Sequence, residues 1–326
     1  MLTVNTSDWS ITKETPFEFD TSKGLRPVLS KIDDTHYLCT YEASTGDLIA
    51  VVLIVDTGTW TITKGTPFMY DSDGELPELV RIDSTHHLCT YIRISDGEAV
   101  VLIVNTGDWS VSKGNTSVYS ATLQHDSALE QIDSDHYLII YSNGPPANGA
   151  SKVLTVNPST WDVSVETPLI FDYGSNVQQF DLIKIDATHY LAAYKGDLGK
   201  GSSMVLTVNT SDWTISGGTL FYFDPPLGSG MYPALSRINN NNFLCAYSDR
   251  NTADARGDAT VLTVNTSDWT ISGGSTFRFD TRCMKSDAVQ VDTTHHLCVY
   301  QTAGSDGMAV IFEVASDGND TPPIRP

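Results

Sequence analysis

Two short sequence patterns return along this chain, six times each, at intervals of about fifty residues. The first is Leu-Thr-Val-Asn-Thr-Ser-Asp-Trp-Thr-Ile at 262–271, and its tryptophans are Trp9, Trp60, Trp109, Trp161, Trp213 and Trp269. The second is Ile-Asp-x-Thr-His-Tyr-Leu-Cys-x-Tyr, and its copies begin at Ile32, Ile82, Ile132, Ile185, Ile238 and Val291. A unit of this size cannot bury its own apolar face, so the copies must pack against one another.

Each unit predicts four short strands, which we call A to D in chain order. In the first full unit they are Pro27–Ile32, Tyr37–Tyr41, Val51–Val55 and Trp60–Tyr70, the last broken near Gly65. Val, Ile, Thr, Tyr and Trp dominate them, and Gly, Asn, Asp and Ser mark the turns. No stretch has helical periodicity over three turns. The sequence therefore predicts an all-β chain of six antiparallel four-stranded sheets.

This pattern resembles the repeat of six-bladed β-propeller proteins, from Trp9 to about Val314, with no closer family indicated. The resemblance implies one domain over residues 1–318 and a C-terminal tail over 319–326. The sixth copy lacks strand D, because Asn319 stands in its Trp slot. We expect the N-terminal segment 1–20 to complete the last blade and so close the propeller without an open sheet edge.

Charge and composition exclude several classes of function. The net charge is −21, from 40 acidic and 19 basic residues, which disfavours nucleic acids and anionic membranes. No apolar run is long enough to span a membrane, and the first residues do not resemble a signal peptide, so localisation stays undetermined. A monomer is expected. The five cysteines predict buried free thiols in four equivalent slots, with Cys283 more exposed in a loop.

Loop lengths separate a uniform set of turns from a varied set. The A–B turn keeps a spacing of four residues from Ile32 to His36 in every copy, and the C–D turn keeps five from Val55 to Trp60. The B–C and D–A loops vary in length. The resemblance to propellers implies that the varied loops share one face, around the mouth of a central channel. Because binding sites are commonly built from loops on a rigid scaffold, we expect the functional surface there.

The varied loops of blades four to six gather basic and aromatic side chains. We predict a non-enzymatic binding module for a glycan or a protein, with the ligand-binding residues Lys195, Lys200, Tyr232, Arg250 and Arg282. One alternative is a carbohydrate-active enzyme, a glycoside hydrolase or polysaccharide lyase with its site at the channel mouth. For that alternative no catalytic residues can be assigned, because no spacing brings its candidate acids and arginines together. Another is a structural repeat domain of a surface or virion protein.

Two further patterns carry hypotheses of their own. Asp71, Asp73 and Glu75 present carboxylates around a Gly bend, a set that suits Ca²⁺, although a solvated acidic loop is the simpler explanation. No other cofactor is indicated. The repeated histidines, as at His36, predict a turn residue whose ring bonds the backbone, with metal ligation as the alternative. The repeated tryptophans predict buried packing residues.

Overall fold

The computed structural model describes residues 2–13, 15–44, 46–224, 229–250, 255–302 and 306–314, without the side chains of Leu123 and Gln124. Within these ranges the chain is all-β, apart from one 3-10 turn at Asp197–Gly199. The strands form six antiparallel blade sheets, so the predicted six-bladed β-propeller fold is confirmed. No helix in the described part has the length and apolar character needed to cross a membrane.

Blades 1 to 3 follow one plan, in which the predicted strand D is divided into two segments that both pair with strand C. Blade 1 has β3 (Leu25–Lys31), β4 (His36–Glu42), β5 (Leu48–Asp56), β6 (Thr61–Lys64) and β7 (Phe68–Asp71). Blade 2 has β8 (Gly74–Arg81), β9 (His86–Arg93), β10 (Asp96–Asn105), β11 (Ser110–Lys113) and β12 (Ser117–Ser120). Blade 3 has β13 (Leu123–Gln131), β14 (His136–Asn143), β15 (Asn148–Val156), β16 (Val163–Val165) and β17 (Leu169–Asp172).

Blades 4 and 5 repeat this plan, and blade 6 shows only its first three strands. Blade 4 has β18 (Gln178–Lys184), β19 (His189–Lys195), β20 (Gly201–Asn209), β21 (Thr214–Gly217) and β22 (Phe221–Tyr222). Blade 5 has β23 (Gly230–Arg237), β24 (Asn242–Asp249), β25 (Arg256–Asn265), β26 (Thr270–Gly273) and β27 (Phe277–Asp280). Blade 6 has β28 (Lys285–Gln290), β29 (His295–Gln301) and β30 (Gly307–Glu313).

The chain divides into two compact units, residues 1–139 with 152–167 and residues 140–151 with 168–326. In the first unit, strand β8 packs against β3 and β13, and the core between blades 1 and 2 includes Leu38, Val52, Tyr91 and Leu102. In the second unit, β23 packs against β18 and β28, and its core includes Leu191, Phe243 and Leu262. In each unit the core residues lie mainly on the middle strands of neighbouring blades, whose apolar faces pack against one another.

All five cysteines are free and buried, which confirms the prediction for the four repeated slots. The expectation for Cys283 was wrong, since its side chain is 0% exposed. The physical reason is that its backbone is bonded on both sides: its N–H donates to Ala255 O (2.6 Å), and its carbonyl accepts from Ser248 Oγ (2.6 Å).

The uniform turns carry the repeated histidines and tryptophans, and the structure corrects both interpretations. The His36 ring bonds a carboxylate rather than the backbone, with Nδ1 2.8 Å from Asp33 Oδ1. It also stacks on Trp109 of the next blade, with ring centroids 3.6 Å apart. The tryptophans are only partly buried, and Trp60 is 49% exposed. All six tryptophans adopt a left-handed backbone, with φ between 55° and 60°. Trp109 and Trp269 pack against the cores from the turn, and Trp109, Trp161 and Trp269 also stack on a histidine of the neighbouring blade.

The N-terminal segment forms a hairpin of its own. Strands β1 (Leu2–Val4) and β2 (Ile11–Lys13) pair with each other as a two-stranded sheet. Within the described residues the sixth sheet has the order β28-β29-β30, without a fourth strand. In this topology neither β1 nor β2 pairs with a strand of the last blade. Closure by the N-terminal segment therefore stays a prediction.

Candidate functional site

The five predicted ligand-binding residues lie in different environments. Lys195 ends β19 and is 8% exposed, because it lies between two neighbouring strands of its blade. The Lys285 ammonium lies over Tyr232, 5.7 Å from the centre of the tyrosine ring. Arg250 is exposed and contacts Met284 Sδ at 3.4 Å. Arg282 donates its backbone N–H to Asp280 Oδ1 at 2.8 Å. Tyr232 and Arg250 thus contact the segment that begins β28, whereas Lys195 is not presented to solvent.

Lys200 lies in a pocket that the sequence did not predict. The pocket has a volume of about 360 Å³ and lies between blade 4 and blade 5, and we call it the blade 4–5 pocket. Its lining comprises Lys200, Phe221, Tyr222, Phe223, Asp224, Gly273, Gly274 and Thr276. The Lys200 ammonium is 4.6 Å from the centre of the Tyr222 ring, and Tyr222 is 47% exposed. The pocket therefore combines an accessible aromatic face with a cation, a hydroxyl and a carboxylate.

The carboxylate in this pocket, that of Asp224, has an unusual environment. Asp224 is 5% exposed, and its Oδ2 has no hydrogen-bond partner within the described residues. Burial, together with the negative charges of Asp249 and Asp258, raises the pKa of Asp224 to about 7, although the Gly230 N–H lowers it in part. A buried carboxylate without a partner is costly, so groups of this kind are concentrated at functional sites.

Two of the three residues of the calcium hypothesis, Asp71 and Glu75, are paired with arginines. Asp71 Oδ1 is 3.6 Å from Arg93 Nε, and Glu75 Oε2 is 3.0 Å from Arg26 Nη1. Asp73 donates its backbone N–H to Asp71 Oδ1 at 3.0 Å. In the part of the chain that is described, no group of three or more His, Cys, Asp or Glu side chains is arranged to hold a metal ion. The Ca²⁺ site stays a prediction, against which these two ion pairs argue.

With this geometry established, the chain can be compared with known proteins. No protein-family model matches it, and no curated protein is similar to it. Its fold is similar to that of the periplasmic gluconolactonase of Pseudomonas aeruginosa, with 11% identity and a TM-score of 0.75 over 100% of this chain and 90% of that chain. A protein from Lactobacillus plantarum shows 12% identity and a TM-score of 0.73, over 99% and 90%.

A third solved structure, a variant of AofleA from Arthrobotrys oligospora, shows 10% identity and a TM-score of 0.56 over 90% of this chain and 84% of that one. At such identities the likeness shows the fold alone, because one fold supports many unrelated functions. The function must therefore be argued from the site.

Sequence reasoning missed Asp224 and Tyr222, although a signal for each was present. In the outermost strands of blades 1 to 5 as described, Tyr222 is aromatic at a position that is Met69, Val118, Ile170 or Arg278 in the other four blades. Asp224 is followed by Pro225 and Pro226, which occur at this point in no other copy. Comparing the copies at these two positions would have singled out the junction between blades 4 and 5.

Proposed function

We propose that this chain is a non-enzymatic binding module that takes a glycan in the blade 4–5 pocket. The observation that carries the proposal is the lining of the pocket, in which the exposed Tyr222 ring lies beside Lys200 and Asp224, whose Oδ2 has no hydrogen-bond partner within the described residues. Aromatic rings offer a face to the C–H groups of a sugar, and a few placed polar groups fix its hydroxyls. The volume of about 360 Å³ lies at the lower end of the range of small-molecule sites.

The size and depth of the pocket favour a glycan over a folded protein partner. A stable protein interface buries about 800 Å² on each partner and uses a broad surface. Here the aromatic and charged groups converge on one concave site instead. One or two sugar units of a longer chain would fit, with the rest of the glycan extending over the neighbouring surface.

The test is a glycan array followed by calorimetry on the ligands it identifies. Tyr222→Ala is expected to weaken binding at least about tenfold, which corresponds to about 1.4 kcal/mol, because the stacking face is removed. Tyr173→Ala is the matched control, since this tyrosine is 81% exposed and does not line the pocket. Equal affinities of the wild type and Tyr222→Ala for every ligand found, or no glycan bound at all, would contradict the proposal.

A second candidate, hydrolysis of a sugar lactone, is favoured by one specific observation. The pKa of Asp224, raised to about 7, suits a general base that activates water near neutral pH. The similar fold of a protein described as a gluconolactonase supports the same choice of substrate. Titrating the acid released from aldonolactones tests it: the candidate requires turnover that Asp224→Asn abolishes, and it is wrong if hydrolysis equals the uncatalysed rate.

A further inference from the structure

Asp224 occupies a slot that five of the six copies fill with aspartate. In the other four, a carboxylate oxygen accepts the backbone N–H two residues further on, with distances of 2.7–3.0 Å, in the pairs Asp20–Ser22, Asp71–Asp73, Asp172–Gly174 and Asp280–Arg282. Two residues after Asp224 stands Pro226, which has no N–H. The sequence therefore removes this local donor, and Asp224 accepts a hydrogen bond from the Gly230 N–H. Its Oδ2 is buried without a hydrogen-bond partner in the described part of the chain.

Blade 2 shows what the same framework looks like when it is charge-compensated. The two acids there are Asp71, at the end of blade 1, and Glu98 of blade 2. The Arg93 guanidinium is 3.6 Å from Asp71 and 3.8 Å from Glu98. The hydroxyl of Tyr91 donates to both acids, at 3.3 and 2.8 Å. A cationic nitrogen group thus lies between two largely buried carboxylates.

Strand register identifies the equivalent residues in blade 5. Tyr91 lies opposite Glu98, as Tyr247 lies opposite Asp258. Arg93 lies opposite Gly74, as Asp249 lies opposite Gly230. Position by position, blade 5 therefore keeps the tyrosine and the two acids, but replaces the central arginine with an aspartate.

This replacement moves the arginine to the facing strand, because Arg93 lies opposite Asp96 whereas Asp249 lies opposite Arg256. Asp258 forms an ion pair with Arg278 of the outermost strand, and Arg278 Nε lies 3.1 Å from Asp258 Oδ1. Asp224 instead faces the negative charges of Asp249 and Asp258, and both raise its pKa. Asp224 also lines the blade 4–5 pocket.

We infer that Asp224 accepts the protonated amino group of a ligand, in the role that Arg93 has in blade 2, and that the glycan bound in the blade 4–5 pocket is an amino sugar. This inference rests on the proposed glycan function. An ammonium group donates the hydrogen bond that Asp224 Oδ2 lacks, and charge-assisted bonds of this kind are the strong ones. Lys200 and Thr276 remain for the sugar oxygens, and the net charge of −21 attracts a polycationic chain.

The inference is tested by calorimetry with three oligosaccharides that share one linkage: oligomers of glucosamine, of N-acetylglucosamine and of glucose. The glucosamine oligomer is expected to bind at least tenfold more tightly than the other two. Asp224→Asn should abolish that preference. The matched control is Asp172→Asn, which changes the same slot in a copy where the carboxylate has its own backbone donor, and this variant should keep the preference.

A pH series gives an independent readout. Binding of the glucosamine oligomer is expected to strengthen between pH 5 and 7, as Asp224 loses its proton among the charged groups around it, which are Asp249, Asp258, Arg256, Arg278 and Lys200. The melting temperature of Asp224→Asn identifies a folding defect. None is expected, because the change removes an uncompensated buried charge.

The outcomes separate this inference from the proposed function. If glucose oligomers bind as tightly as glucosamine oligomers and Asp224→Asn changes neither affinity, the amino-sugar inference is wrong while the glycan function stands. If no oligosaccharide binds and a lysine-rich peptide does, in a way that Asp224→Asn abolishes, the ligand is a protein and both the glycan function and the amino sugar are wrong.

Discussion

Two histidines, His87 and His296, are buried at a strand position where the other copies have tyrosine or phenylalanine. Each uses Nδ1 to bond a serine of the preceding blade, Ser30 Oγ at 2.8 Å and Ser236 Oγ at 2.7 Å. Burial lowers the pKa of both rings to about 4. The folded chain therefore keeps them neutral at pH values where an exposed histidine would be protonated.

The consequence is a loss of stability in mild acid. Between pH 6.5 and pH 4 the unfolded chain binds protons at these rings and the folded chain does not, so the free energy of unfolding falls as the pH drops. Above pH 6.5 the rings are neutral in both states and contribute no pH dependence. We expect His87→Phe to flatten the decrease, measured by urea unfolding at intervals from pH 4 to 7.

Ser30→Ala is the control for this experiment. This change removes the hydrogen bond but leaves His87 buried. It should therefore lower the free energy of unfolding at every pH while keeping the slope of that free energy against pH. If His87→Phe shows the wild-type slope, protonation of His87 does not limit stability in acid.

At the scale of secondary-structure elements, the uniform A–B and C–D turns contact one another between neighbouring blades. His36 stacks on Trp109, His86 on Trp161 and His189 on Trp269, with ring centroids 3.4–3.6 Å apart. The backbone of each tryptophan adopts positive φ, which is unfavourable for a bulky L-residue. The turn hydrogen bond from its N–H, such as Trp109 N to Asn105 O at 2.8 Å, holds it there.

A double-mutant cycle measures this contact. His36→Ala, Trp109→Ala and their combination are expected to give a coupling free energy of about 0.5–1.5 kcal/mol, the range for aromatic pairs. The control cycle combines His36→Ala with Trp161→Ala, because Trp161 stacks on His86 instead, and these two changes should add. A coupling energy for His36 and Trp109 no larger than that of the control would mean that the stack contributes nothing to stability.

The sequence predicted these elements well, because strands and turns follow from local composition and from the repeat. It could not predict side-chain placement that depends on a neighbouring blade. Trp109 was expected in the core, and only the three-dimensional packing places it on His36. Lys195 was expected to contact ligand, but its strand lies between two others. The Asp224 site combines residues spread along the chain from Asp224 to Asp258, so a single repeat does not show it, and only a comparison between the copies draws attention to the junction of blades 4 and 5.

At the scale of the whole molecule, the open question is how the chain completes its sixth blade. We expect deletion of residues 1–20 to lower the melting temperature and to promote association, because the third strand of that sheet would keep an open edge. Deletion of residues 1–4 removes only the strand Leu2–Val4 and should have little effect. For both deletion variants, differential scanning calorimetry measures the melting temperature and size-exclusion chromatography measures association. If the longer deletion leaves melting and monomeric state unchanged, closure by the N-terminal segment is wrong.

The pairs Ser30–His87 and Ser236–His296 also bear on how such a repetitive chain finds its order. Near-identical repeats tend to exchange partners during folding, because any copy can pack beside any other. A buried histidine at this position forms its hydrogen bond only with a blade that has serine at the facing position. In the other copies this position is Val80, Glu130, Ile183 or Val289, none of which has a hydroxyl. The two pairs thus favour the two serine-bearing blades over the other four as neighbours of a histidine-bearing blade, which reduces the number of wrong blade pairings that are equally stable.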